Sequence, residues 1–186
     1  MIYLTKELCE QALMGGLLLG GGGGGTLTAG REALEETFKH TDKLTMLDVS
    51  ELKPDDVVVN VSTLGAPSAK DVHLTAEHWM TALKNFELNY GKKIAGFTSC
   101  ENGAISTANG WVISALTGIP LVDAPSNGRA HPTGTMGSIG LNLLPVCLWR
   151  RGRPLRGNRG KGSPELHLPC DPPECGGRRR YGRRAA

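Results

Sequence analysis

Near the start of the chain, apolar positions recur at helical spacing and are then cut off by glycine. Leu4, Leu8, Ala12 and Leu13 fall on one side of a helix that Thr5 can cap and that runs to about Leu17. Gly20 to Gly25 end it, because each glycine costs about 1 kcal/mol in a helix interior. A second helix follows over Arg31 to His40, with Thr28 as its cap. Its acidic residues come early and Lys39 and His40 late, as the helix dipole favours. Residues 43–49 read as a strand. Pro54, Asp55 and Asp56 carry turn chemistry, and Val57 to Val61 form a β-branched run. Thr75 opens a third helix in which Trp79, Leu83, Phe86 and Tyr90 make one stripe, closed by Gly91. Residues 93–99 read as a buried strand. Residues 105–117 form a helix with Ala108, Trp111, Val112, Ala115 and Leu116 on one face, stopped by Gly118 and Pro120. Residues 119–124 are a strand that carries Asp123 at its end.

From Val57 onward the order is strand, helix, strand, helix, strand. The predicted class is therefore α/β: N-terminal helices joined by a glycine-rich turn, then a mostly parallel sheet. Ligands of such sheets collect beyond the carboxyl ends of the strands. Three ends qualify, residues 62–69, 98–104 and 123–137, all rich in Gly, Pro, Ser, Thr and Asn.

Composition changes this picture at one place. Of 186 residues, 39% are hydrophobic and 5% aromatic, enough for the core of one domain. Residues 1–142 hold 10 Lys and Arg against 15 Asp and Glu, whereas residues 143–186 hold 11 against 3. The second segment is dominated by Arg, Gly and Pro and has no periodicity that could form a buried face. A boundary is placed at about Asn142, between an α/β domain and a disordered tail. The tail is either a natural basic arm able to bind nucleic acid or GC-rich coding sequence read in a shifted frame. Its composition favours the second, which makes the chain a truncated fragment and nucleic acid an unlikely partner.

No apolar run reaches the roughly 18 residues of a membrane span. Glu7 and Glu10 stand where a signal peptide carries positive charge, so a cytoplasmic protein is expected. Cys9, Cys100, Cys147, Cys170 and Cys175 are odd in number and contain no CxxC, which suits a reducing compartment. His167, Cys170 and Cys175 only loosely match zinc-ligand spacing.

Candidate chemistry gathers at the strand ends. The glycine run matches a dinucleotide fingerprint only trivially: the segment before it reads as helix, and no Lys follows Gly25 as in a P-loop. No nucleotide is expected. Gly21, Gly22, Gly23 and Gly24 can instead aim backbone amides at an anion or carbonyl, or simply form a tight turn. In residues 123–132, Asp123 sits at a strand end and Gly128 allows a left-handed backbone beside Asn127. Arg129 offers a fork for a carboxylate or imide, and His131 can shuttle a proton or bind a metal. The plainer alternative is an Asp123–Arg129 pair that locks the loop. Glu101, followed by Asn102 and Gly103, can serve as base, metal ligand or helix-start charge. Cys100 is either a nucleophile or, more commonly, a buried thiol. His40, His73 and His78 read as surface or cap residues.

Three stretches then resemble the N-terminal part of the S-methyl-thiohydantoin desulfurase-like family, which is associated with hydantoinase and oxoprolinase genes. They are LMGGLLLGGGGGGT, ENGAISTANGWVISA and GIPLVDAPSNGRAHPTGTMGS, all within residues 1–142. The last is the most specific, since it matches about ten positions in order. The family commonly has a second Asp where Pro125 stands and an aromatic where His131 stands. The resemblance implies a second, β-rich domain missing here, and hydrolysis of a hydantoin-like ring with loss of a methylthio group. It implies a cyclic-imide or hydantoin-like substrate and roles for Asp123, Glu101, Gly128 and Arg129; His131, a departure from the family, is a catalytic candidate from its own chemistry alone. The glycines 21–24, Asn102, Gly103, Asn127 and Gly128 then contact substrate. A divalent metal can activate the water instead, and homo-oligomers are compatible. The alternative function is that of a non-catalytic partner of a hydantoinase- or oxoprolinase-type enzyme.

Overall fold

The computed structural model describes residues 1–63 and 74–130 and, beyond them, only the two short strands 148–150 and 153–155. The main sheet has five strands: β1 (Ile2–Leu4), β2 (Leu44–Leu47), β3 (Val57–Val61), β4 (Ile94–Ser99) and β5 (Leu121–Val122). Their spatial order is β1-β2-β5-β4-β3. β2, β5, β4 and β3 are mutually parallel, and β1 adds an antiparallel edge to β2. Four helices complete the domain: α1 (Lys6–Gly20), α2 (Leu27–Phe38), α3 (Ala76–Tyr90) and α4 (Trp111–Thr117).

The two crossovers β3-α3-β4 and β4-α4-β5 advance in the same direction across the sheet. Right-handed connections then place α3 and α4 on one face, consistent with their mutual contact. α2 packs on α4, and α1 packs on α2. Lys6 to Glu35 at 2.7 Å and the Arg31–Glu10 pair tie α1 to α2 at the surface. The core lies between sheet and helices, centred on Phe97, Leu13, Leu44, Ile94, Leu34 and Trp111.

Several element boundaries differ from the expected ones. α1 continues past Leu17 to Gly20, and α2 starts at Leu27 under a Thr26 cap rather than after Thr28. Glycines inside these helices are tolerated because the chain passes close by: a Cβ on Gly16 would strike the Thr107 hydroxyl and the Gly103 carbonyl, and one on Gly30 the Ala104 carbonyl. Residues 105–117 are not one helix. A single 3-10 turn, Ser106–Ala108, is separated from α4 by Asn109 and Gly110, whose φ is 93°. β1 was not expected, since three residues are too few to show a period. The same holds for β6 (Leu148–Arg150) and β7 (Arg153–Leu155), an antiparallel pair inside the segment read as having no strand. The rest of that segment, with Cys147, His167, Cys170 and Cys175, lies outside the described residues, as do Leu64 to His73. Among the described residues, no helix is long and apolar enough to cross a membrane.

Candidate functional site

Because β3, β4 and β5 run parallel, their carboxyl ends share one edge of the sheet, and backbone bonds join the segments that leave it. The Cys100 amide donates to Val61 (3.1 Å), the Ser126 amide to Ser99 (3.2 Å) and the Asp123 amide to Leu47 (2.9 Å). Side chains reinforce this. Thr98 donates its hydroxyl to the Ala124 carbonyl at 2.5 Å, and Asn60 bonds both the Ser99 carbonyl, at 3.3 Å, and the Ser126 hydroxyl. Residues 99–103 and 123–128 are thereby held side by side.

The glycine run forms a fixed bend against the first of these segments. Gly21 closes α1 in the left-handed region, and Gly22, Gly24 and Gly25 are also at positive φ. The Gly24 carbonyl accepts from the amides of Ile105 (2.9 Å) and Ser106 (3.1 Å). A Cβ on Gly24 would come within 2.6 Å of the Gly103 Cα, so only glycine allows the two backbones to approach this way. Gly23 faces Ala130, next to Arg129, and the Asn102 amide nitrogen lies 3.5 Å from the Gly128 carbonyl. The Glu101 carboxylate accepts from the Ser106 hydroxyl at 2.8 Å. The bend, Glu101 to Ser106 and Gly128 to Ala130 are therefore contiguous, while Gly21 and Gly22 are exposed on the outer side.

Beside this cluster, under α1, opens a pocket of about 250 Å³. Phe97, Leu121 and Val122 from the sheet line it, with Ala12, Gly15, Gly16 and Leu19 from α1. Its polar positions are Ser99, Asn102, Thr107, Asn109 and Asp123. Asp123 and Asn102 are thus pocket residues. Glu101, Arg129 and the glycine bend are not among the lining residues. Gly103 is buried between the bend and α1, Asn127 is half-buried and Gly128 exposed. His131 lies outside the described residues. Among the described residues no ion pair joins Asp123 to Arg129, so the loop-locking alternative does not occur. The loop is held instead by the backbone and Ser126 contacts given above.

Cys100 is half-buried, which works against its ionisation. Burial, the largest effect on it, pushes its thiol up, and Asn109 donates toward its sulfur at 3.7 Å. A nucleophilic cysteine needs thiolate at neutral pH. His78 caps α3, its Nδ1 accepting from the Thr75 amide at 3.2 Å, and His40 lies 3.3 Å from Glu36. Among the described residues no three His, Cys, Asp or Glu side chains converge as metal ligands.

Sequence reasoning missed Asn109, which is 3% exposed, lines the pocket and accepts a hydrogen bond from Thr63 at 3.2 Å. The signal was present: Asn-Gly at 109–110 is a turn dipeptide. The apolar spacing around it concealed the break. Met46 and Leu19 were missed as lining residues because nothing local marks them.

Comparison with known proteins agrees with this architecture. A family model described as S-Me-THD-like, N-terminal domain, matches residues 8–151, which extends past Asn142. No curated protein matches the chain. A crystal structure of a protein from Chromobacterium violaceum, solved by a structural genomics consortium, is similar with a TM-score of 0.68 and 25% identity. The match covers 93% of this chain but only 46% of that protein, so the chain spans less than half of its relative's length. By the extent of the family match, the chain belongs to the S-Me-THD-like family, whose N-terminal domain it carries.

Proposed function

We propose that this chain is the N-terminal part of a hydrolase acting on a hydantoin-like ring, with its site at the carboxyl edge of the sheet. The observation that supports this most is that Asp123, exposed at the carboxyl edge of the sheet, lines an open cleft of about 250 Å³ beside a bend whose carbonyl and α-carbon contacts hold residues 102–106 in place. Pockets at such edges are the common ligand sites of α/β sheets.

In this reading water attacks the ring carbon that bears the methylthio group. Asp123 takes a proton from the water as the carbon–oxygen bond forms. The C=N π pair moves to the ring nitrogen, which takes the remaining hydroxyl proton; the carbon–sulfur bond then breaks and Asp123 returns its proton to the thiolate, giving methanethiol and the ring carbonyl. Asn102 orients the ring from the pocket wall. Arg129 and Glu101, outside the pocket, act on a part of the substrate that projects toward the bend, or on the second half of the protein. Because the chain spans 46% of its solved relative, the complete site is proposed to need that second half.

The test is methanethiol release from an S-methyl-thiohydantoin by the chain joined to its relative's second half. Asp123→Asn is expected to lower the rate about 100-fold while leaving binding within twofold, the usual scale for loss of a general base. Absence of release across a panel of ring substituents overturns the proposal.

A further inference from the structure

We propose that Asn127–Gly128 is a modification site, at which the asparagine converts spontaneously to isoaspartate or aspartate, and that the fold shields the chain's other Asn–Gly pairs from the same reaction. This inference is independent of the ring-hydrolase reading. Three asparagines precede a glycine: Asn102, Asn109 and Asn127. In each pair the glycine nitrogen, with no Cβ beside it to hinder approach, can attack the side-chain amide carbon of the asparagine. The new carbon–nitrogen bond forms as that nitrogen gives up its proton. The bond to the side-chain nitrogen breaks, and ammonia departs with the proton. Water then opens the succinimide ring at one of its two carbonyls, giving aspartate or isoaspartate.

What separates the three pairs is the surroundings of the glycine. The Gly103 nitrogen donates to the Thr107 hydroxyl at 3.3 Å, and Gly103 is buried with the Gly24 backbone where its Cβ would stand. Gly110 is buried beside Leu121, Phe97 and Val61, and Asn109 is held by Thr63 and Cys100. Ring closure requires the side chain to swing back onto the next backbone nitrogen, and close-packed segments resist that movement. Gly128, by contrast, is exposed, and among the described residues nothing lies within 4 Å of the place its Cβ would take. Conversion at this pair reaches the candidate site. The Gly128 carbonyl lies 3.5 Å from the Asn102 side-chain nitrogen, and isoaspartate lengthens the backbone next to that contact. The new carboxylate falls in the chain between Asp123 and Arg129.

The experiment keeps the full chain in mildly alkaline buffer, folded and in guanidinium chloride, and follows each asparagine by peptide mapping with mass spectrometry. In denaturant the three are expected to convert at rates within threefold of one another, because the same residue follows each. In the folded chain Asn127 should stay within threefold of its denatured rate, whereas Asn102 and Asn109 should slow at least tenfold. Isoaspartate, detected by enzymatic methylation of its carboxyl group, should accumulate first at residue 127. Gly128→Ala has room for its Cβ and should slow residue 127 at least fivefold, with circular dichroism confirming the fold. Conversion of Asn102 or Asn109 in the folded chain as fast as that of Asn127 overturns the inference, as does a tenfold slowing of Asn127 by folding. An unchanged tenfold spread of rates in denaturant overturns the part assigned to the fold. An unaltered rate in Gly128→Ala overturns attack by that nitrogen.

Discussion

α1 and α3 are of equal length, 15 residues each, and both start at a threonine and end at a left-handed glycine, yet they join the domain in opposite ways. α1 approaches its neighbours through backbone. Gly16 and the bend after Gly20 press on Gly103 and Thr107, and Leu13 beside them is fully buried. α3 approaches through large side chains: Leu83 is 6% exposed, Trp79 and Phe86 are partly buried, and Tyr90 stacks on Phe86 at 5.2 Å near the surface. A glycine contact has no slack, since any Cβ meets backbone that cannot rotate away. A side-chain stripe can repack. The candidate pocket lies under the first kind of helix, so its shape is set by atoms that do not move easily.

Substitutions can break or sharpen this contrast. The largest effect is expected from Gly16→Leu, which drives a side chain into Thr107 and the Gly103 carbonyl. The cooperative urea transition should disappear or shift by 3 kcal/mol or more, roughly the upper end for overpacking. Next, Leu13→Ala should cost about 4 kcal/mol and Leu83→Ala about 2 kcal/mol in urea unfolding, opposite ends of the usual range for this change. Equal costs would show that α3 is as rigidly seated as α1.

Cys9 gives a pH test of the α1 interface. Burial pushes its thiol up to about 12. In the unfolded chain the thiol ionises from about pH 8.5. The folded state favours the neutral form, so this stabilisation is complete below that pH and is lost as pH rises toward 12. Cys9→Ala should flatten the alkaline fall in melting temperature.

The smallest effect is expected at Glu36. A hydrogen bond from Lys39, and then one from His40, lowers its carboxyl. That contribution is present above the unfolded value of about 4.3 and lost as pH falls through the folded one. Glu36→Gln should cost about 0.5 kcal/mol at pH 7 by thermal melting, as for other surface pairs.

Much of the chain could be read without coordinates. Thr5 and Thr75 as caps, Gly91 and Gly118 as stops, the Val57–Val61 and Ile94–Ser99 strands and the parallel order all follow from local rules. Those rules depend on steric limits and hydrogen bonding within a few residues, which a sequence carries on its face. The convergence of segments beyond the strand ends was legible too, because parallel strands must end on one edge. The break at Asn109-Gly110 was legible only in principle, since two local signals conflicted there.

What tertiary structure alone decided is which residues meet. Nothing near Gly20 or Gly30 announces that a helix reaches or continues through it; Gly103 and Ala104, far along the chain, lie where the missing side chains would stand. Likewise Asp123 and Asn102 share a pocket with Leu19 and Met46, whereas Glu101 lies toward the glycine bend. Spacing along the chain determines the local form of each segment, but contact across the fold depends on distances that no short window of sequence contains.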